Sequence, residues 1–226
     1  TELAERSFFG TSRLYNENTP LSKRNHFTIY NALPPGFSIV RENRSFVRPI
    51  TIGVVSRLEE IKGMDLVVPA FAQVKKRYPD TRLVIVGEGS LRVKMQRQVQ
   101  ECDCTDNVEW AGRQPQERLM EWYRRMDIVL MPSRSEGFGL TAIEAMANGC
   151  VVVASRTGGL PEVVQDGEVG LLHEVGSIDD MANKIISLIA TPELLQKYSS
   201  EAIRYVRRYS FERYSQLFNG LYKRII

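Results

Sequence analysis

The sequence predicts an α/β protein: a doubly wound parallel sheet with helices on both faces. Three observations carry that expectation. Short runs such as Asp127 to Met131 (DIVLM) and Val151 to Ala154 (VVVA) are apolar on both faces, as strands buried on both sides must be. Amphipathic segments separate them, so strand and helix alternate. Glycine-bearing and charged loops follow the strands, at the carboxyl ends where such sheets hold ligands.

Taken in order, Pro49 to Ser56 (PITIGVVS) reads as a buried strand. Met64 to Tyr78 follows as a helix, with Leu66, Val67, Phe71, Val74 and Tyr78 in a helical stripe. Thr81 to Val86 is the next strand, Ser90 to Glu101 a polar, basic helix, and Asn107 to Ala111 a strand. Pro115 to Arg125 reads as a helix with proline near its start and Leu119, Trp122 and Tyr123 on one side. After the strand at Asp127 come a helix from Gly139 to Asn148, the strand at Val151, a short helix from Pro161 to Gln165 and a last strand from Gly170 to Leu172. Ile178 to Ile189, Pro192 to Arg207 and Phe211 to Ile225 then read as three helices in a row. The first fifty residues are broken by Pro20, Pro34, Pro35, Gly36 and Pro49, with one strand expected at His26 to Tyr30. The expected division is a flank and linker over 1–49, the sheet domain over 50–208 and a crossover helix over 209–226.

Composition narrows the function. The 226 residues are 43% hydrophobic and 25% charged, as in an ordinary soluble globular protein. A net charge of +3 with no dense basic stripe argues against nucleic acid as a partner. The run Lys75, Lys76, Arg77 closes a helix, where cations suit the carboxyl end; a solvated face is the first reading and contact with anionic lipid a distant second. Cys102, Cys104 and Cys150 have no framework spacing, and only His26 and His173 accompany them. This fits a reducing, cytoplasmic compartment, with membrane association left open, and argues against a zinc site. No apolar run reaches membrane-spanning length. The sequence opens without an initiator methionine and is read as a processed or excised piece.

Five loops follow strands. In the first, Arg57 leaves the strand end and Lys62 starts the next helix. Two cations there suit a diphosphate, and surface ion pairs with Glu59 and Glu60 are an equal alternative. The second, Gly87-Glu88-Gly89, is read as an ordinary tight turn. The third, Gly112-Arg113-Gln114-Pro115, could present amides to a planar base but is by itself no more than a turn. The fourth runs from Ser135 through Glu136, Gly137, Phe138, Gly139, Leu140 and Thr141 into a helix whose free amides and positive end suit phosphate oxygens. Glu144 falls inside that helix among apolar neighbours. A buried carboxylate requires donors; a ribose diol supplies two, and an internal partner is the alternative. The fifth, Gly158-Gly159-Leu160-Pro161-Glu162, fits close backbone approach at a helix start, and Glu162 is best read as a first-turn residue. His173 is expected to end a strand and sit in a turn, and both histidines are read as core or surface residues with no chemistry assigned.

Arg57-Leu58 with Lys62-Gly63, Glu136-Gly137-Phe138-Gly139 with Glu144 eight residues after Glu136, and Gly158-Gly159 ahead of Pro161-Glu162 together resemble the retaining nucleotide-sugar glycosyltransferases of group 1, or family four, from about Ile29 to Ile226. The resemblance implies the GT-B arrangement, two Rossmann-like halves facing across a cleft, of which this chain is the C-terminal, donor-binding half. It implies transfer of a hexose-type sugar from a nucleoside-diphosphate sugar with retention at the anomeric carbon. Arg57 and Lys62 would hold the leaving diphosphate, Glu136 and the backbone of Gly137 to Leu140 the sugar and phosphate, and Glu144 the ribose, with Arg113 near the base. Thr141 belongs to the same helix start. No cofactor and no metal are expected, since the two cations can take that role. A sugar, lipid-linked or small-molecule acceptor is expected on a facing domain outside these residues, and this segment alone is expected to transfer almost nothing. The final helix, with Tyr209, Phe211, Tyr214, Phe218 and Tyr222, resembles the segment that braces the other half. Two departures stand out: Ser56 where the family commonly has glycine, and Asn31-Ala32-Leu33-Pro34 where it often reads Asn-Gly-x-Asp. Rival readings are a nucleotide-sugar-binding module without catalysis and a related GT-B phosphorylase or epimerase. A dinucleotide-dependent oxidoreductase is disfavoured, because the first turn lacks Gly-x-Gly-x-x-Gly.

Overall fold

The computed structural model describes residues 29–40 and 44–225. His26 and most of the strand expected at His26 to Tyr30 lie outside them, and Ile29 and Tyr30 belong to no strand.

Six strands form one sheet: β1 Thr51–Val55, β2 Arg82–Val86, β3 Val108–Gly112, β4 Ile128–Met131, β5 Val151–Ser155 and β6 Gly170–His173. All neighbours are parallel, in the order β3-β2-β1-β4-β5-β6. The helices are α1 Met64–Arg77, α2 Arg92–Glu101, α3 Leu119–Arg124, α4 Leu140–Ala147, α5 Leu160–Val163, α6 Ile178–Ala190, α7 Pro192–Val206 and α8 Phe211–Ile225. This is the Rossmann-like α/β fold.

Strand alternation divides the core into two layers. Ile52, Val54, Leu83, Ile85, Ile128, Leu130, Val151 and Val153 pack beneath α1, α2 and α6. Val84, Val86, Val129, Met131, Val152 and Ala154 pack beneath α3, α4 and α5. Helix α7 joins both, giving Leu195 and Tyr198 to the first layer and Ala202 and Val206 to the second. Only β3, at an edge, is half open, with Glu109 exposed between Val108 and Trp110.

Two helices start at least two residues later than their sequence pattern. The segment from Pro115 splits into a 3-10 turn, Gln116–Arg118, and α3, because extended Pro115 accepts an i to i+3 bond from the Arg118 amide. Helix α2 starts at Arg92 because the Leu91 amide is bonded to the Leu58 carbonyl of the neighbouring loop at 2.9 Å.

His173 is not in a turn. It closes β6 fully buried, with Nδ1 donating to the Glu174 carbonyl at 2.9 Å, and burial lowers its pKa. Tyr209 does not share the face of the last helix. It sits in the preceding 3-10 turn, Arg207–Tyr209, buried between Phe138 at 5.7 Å and Tyr205 at 5.9 Å between ring centroids. The segment before the sheet packs on it: the Leu33 amide donates to the Tyr209 carbonyl at 2.8 Å, and the Tyr30 ring stacks on Phe138. Helix α8 carries Phe211, Leu217, Phe218 and Tyr222 about half exposed, with Phe211, Tyr214 and Phe218 stacked in a row. Among the described residues no helix is long and apolar enough to cross a membrane.

Candidate functional site

From β1 the chain winds outward to β2 and β3, then returns to add β4 on the other side. The connections therefore diverge between β1 and β4, and a crevice opens at the carboxyl ends of those strands. A cavity of about 260 Å³ lies there, lined by Arg57, Lys62, Glu136, Phe138, Gly139, Leu140 and Thr141 together with Asn31, Ser56 and Ser133. A second cavity of about 390 Å³ opens beyond β1 and β2, lined by Gly87, Glu88, Arg113, Gln114 and Leu119. Ser56 and Arg57 border both.

Arg57 is exposed, and its guanidinium has no hydrogen bond or ion pair within 4 Å among the described residues. Neither cation pairs with Glu59 or Glu60 in the way surface ion pairs would require. Glu59 instead accepts from the Ser90 hydroxyl at 2.6 Å, and Lys62 donates to Glu136 Oε2 at 2.8 Å. Across from them, α4 begins at Gly139, which has φ 104° and no side-chain cap. The amides of Leu140 and Thr141 have no acceptor among the described residues, so the helix start presents two free donors and its partial positive charge. Two cations, two amides and one carboxylate thus converge on the crevice. The set suits a ligand that is anionic at one point and rich in hydroxyls beside it.

Surrounding contacts hold these loops. Arg134 forms a two-pronged pair with Asp65, at 2.7 and 2.8 Å, tying the loop after β4 to the start of α1; the same guanidinium holds the Asp65 carboxyl below its usual range. Gly158, with φ 53°, lies so close to the Glu136 carbonyl that a Cβ would come within 1.8 Å of that oxygen, and the Gly159 amide donates to it at 3.0 Å. The glycine pair therefore approaches the Glu136 loop itself. Gly87 likewise lies against the Ser56 carbonyl. These glycines knit loop to loop.

Glu144 and Gly137 do not line either cavity. Glu144 is 7% exposed, one turn into α4. Its donors are internal: the Tyr123 hydroxyl to Oε2 at 2.9 Å and the Gln116 amide to Oε1 at 3.0 Å. A ribose is not required to satisfy this carboxylate, contrary to the preference drawn from the sequence. Each carboxylate oxygen can still accept a second bond. Burial pushes the Glu144 carboxyl above its ordinary value, against the two hydrogen bonds that pull it down.

A model of the family described as glycosyl transferases group 1 matches residues 38–205. The chain belongs to the group 1 glycosyltransferases.

Its relatives agree. The D-inositol 3-phosphate glycosyltransferase of Segniliparus rotundus is 36% identical over 165 residues, covering 71% of this chain and 37% of that protein. The solved C-terminal domain of a group 1 glycosyl transferase, LpcC of Francisella tularensis, superposes with a TM-score of 0.68 at 31% identity, over 72% of this chain and 87% of that one. A TarM variant of S. aureus, solved with fondaparinux, α-GlcNAc-glycerol and UDP, superposes with a TM-score of 0.70 at 27% identity, over 88% of this chain and 38% of TarM. The chain spans less than half the length of these curated relatives.

Three residues at or beside the site escape a motif reading of the group 1 chain: Tyr123, Gln116 and Ser133. Tyr123 had a detectable signal. It is a phenol on the apolar side of a helix, and a buried hydroxyl needs a partner. The other two give none, because their places depend on how separate loops fold together.

Proposed function

We propose that this chain is the donor-binding part of a retaining glycosyltransferase and binds a nucleoside-diphosphate sugar across the two cavities. The observation that carries the reading is the convergence of Arg57, Lys62 and the uncapped start of α4 on the crevice between β1 and β4. The diphosphate would lie between these groups, the sugar beside Glu136, and the nucleoside in the second cavity near Arg113 and Gln114. Arg57 borders both spaces and so suits the phosphates at the junction. When the bond from the anomeric carbon to the phosphate oxygen breaks, its electron pair stays on that oxygen. The cations and amides already face the charge that develops there. An acceptor hydroxyl held by a facing domain would then attack from the same side, retaining configuration and passing its proton to the departing phosphate oxygen. Arg57 and Lys62 supply the charge a metal would otherwise supply, so binding is expected to proceed without one. The UDP bound in the TarM complex supports the nucleotide reading.

The test is thermal unfolding of the chain with UDP, GDP and ADP and their sugars, in the presence of a chelator. A ligand at about 100 times its dissociation constant stabilises a fold by about 2.7 kcal/mol. At this size that raises the melting temperature by roughly 5–10 °C. No shift with any diphosphate, or a shift only with added magnesium, would overturn the reading.

Glu144→Gln separates recognition from folding. Because burial raises the Glu144 pKa, its contribution to stability is fully present at low pH and is lost as pH rises through the folded value. At neutral pH the amide therefore relieves a desolvation cost, and the melting temperature is expected to hold or rise. Nucleotide affinity should fall about tenfold to hundredfold, the loss of a charged acceptor. Unchanged affinity would make Glu144 a purely structural carboxylate.

A further inference from the structure

We propose that Asn31, carried on the segment that leads into the sheet domain, is a further donor-binding residue: its side-chain amide donates to a phosphate oxygen held at the start of α4. The inference rests on the nucleotide reading above and deepens it.

Asn31 is fixed by its neighbours and not by its own side chain. One residue before it, the Tyr30 ring stacks on Phe138 with 5.9 Å between centroids, and the Tyr30 hydroxyl donates to Glu162 Oε2 at 3.0 Å. Two residues after it, Leu33 is buried and its amide donates to the Tyr209 carbonyl at 2.8 Å. The backbone between these two anchors has little freedom. Asn31 itself is exposed, and its side chain has no hydrogen-bond partner among the described residues. A short amide on a fixed backbone loses little freedom on meeting a ligand.

Its place narrows what that ligand group is. Asn31 lines the cavity of about 260 Å³ together with Arg57, Lys62 and the start of α4. Tyr30 lies on Phe138, the residue before the glycine that opens that helix, so Asn31 borders the helix start. The Leu140 and Thr141 amides offer two donors there without acceptors. A phosphate seated on them keeps lone pairs on its other side, and a carboxamide N–H supplies a donor for one of these from a separate part of the chain. The amide adds no charge. What it adds is dependence: phosphate binding is strongest while the segment stays docked. By linkage, the bound phosphate holds the segment down by the same factor.

The experiment is calorimetry on the chain with UDP, GDP and ADP, their sugars and the parent nucleosides. For whichever diphosphate binds, Asn31→Ala is expected to weaken the diphosphate and its sugar alike by about tenfold, the lower end for a hydrogen bond to a charged group. The nucleoside should bind as before. Asn31→Asp should weaken the diphosphate further, and its deficit relative to Asn31→Ala should close as salt screens the repulsion. Melting temperatures without ligand should not move, because the side chain has no partner to lose. Hydrogen exchange gives the second readout. The Leu33 amide exchanges when the segment lifts from Tyr209, so saturating diphosphate should slow it by up to about tenfold in the original chain and by much less in Asn31→Ala. A residue that is merely near the cavity would leave no such difference. Unchanged diphosphate affinity in Asn31→Ala, or an Asn31→Asp variant that binds as well as the original, overturns the assignment. So does a loss confined to the nucleotide-sugar, which would give the amide to the sugar. If no diphosphate binds the unaltered chain, the nucleotide reading falls and takes this inference with it; binding that ignores Asn31 removes the inference alone.

Discussion

Replacing Arg57 and Lys62 together by alanine is expected to weaken nucleoside-diphosphate binding by roughly two to four orders of magnitude, since each charged hydrogen bond is worth about 1.5–3 kcal/mol. The upper end is favoured by what the substitution leaves behind. Lys62 is the ion-pair partner of Glu136, whose side chain is only 16% exposed. Without that cation the carboxylate faces the same cavity as the proposed phosphates, and attraction becomes repulsion. Arg57 is exposed, so its share should shrink as salt rises, whereas that of half-buried Lys62 should persist. Titration calorimetry with a diphosphate and with the parent nucleoside gives the answer. The nucleoside, lacking phosphates, should bind the variant almost as it binds the original chain. A diphosphate loss of less than tenfold would place the phosphates elsewhere.

Gly158→Val should destabilise the fold by roughly 2–4 kcal/mol, because a β-branched residue is forced to positive φ and its Cβ is driven into backbone. The contact in question is 1.8 Å to the Glu136 carbonyl, which cannot withdraw as a flexible side chain would. For a chain of this length the melting temperature should drop by roughly 5–15 °C. Gly167→Val is the matched control. Gly167 also has positive φ, at 76°, but no atom lies within 4 Å of its Cβ position. The control should show the backbone strain alone, and the difference between the variants is the loop-on-loop clash. Where Gly158→Val remains folded, the displaced Glu136 loop should also bind sugar donors less tightly. Equal melting temperatures for the two variants would refute the bracing role.

The sheet was legible because its strands advertise themselves. Val151 to Ala154 and Ile128 to Met131 are apolar at every position, a pattern that survives only where both faces are covered. The residues of the crevice were legible too, since Arg57, Lys62 and the Glu136 to Thr141 loop all follow strands whose ends the topology gathers. Pairing was harder to foresee. Whether Lys62 would meet Glu60 nearby or Glu136 far along the chain depends on the packing of two loops. The same holds for Glu144, whose donors Tyr123 and Gln116 come from a different helix and turn. His173 does end a strand, as expected, but the turn expected there was misjudged, because a lone polar residue at the end of a short apolar run looks like the beginning of a loop. Here one hydrogen bond to a carbonyl allows it to stay inside. The glycines at 158 and 159 signalled close approach correctly, but a sequence does not say what approaches.

The bond between Leu33 and the Tyr209 carbonyl has a consequence of another sort. Two stretches separated by most of the fold run side by side at that point, so the polypeptide enters and leaves through one seam. A unit whose ends meet is a cassette: it can be spliced into a surface loop of another protein, or reopened elsewhere and rejoined here, without stretching its interior. The seam adjoins the stacked rings of Tyr30 and Phe138. Whatever is grafted there would be felt first by the turn that carries Glu136, which makes the junction a natural place to attach a reporter of that turn's position.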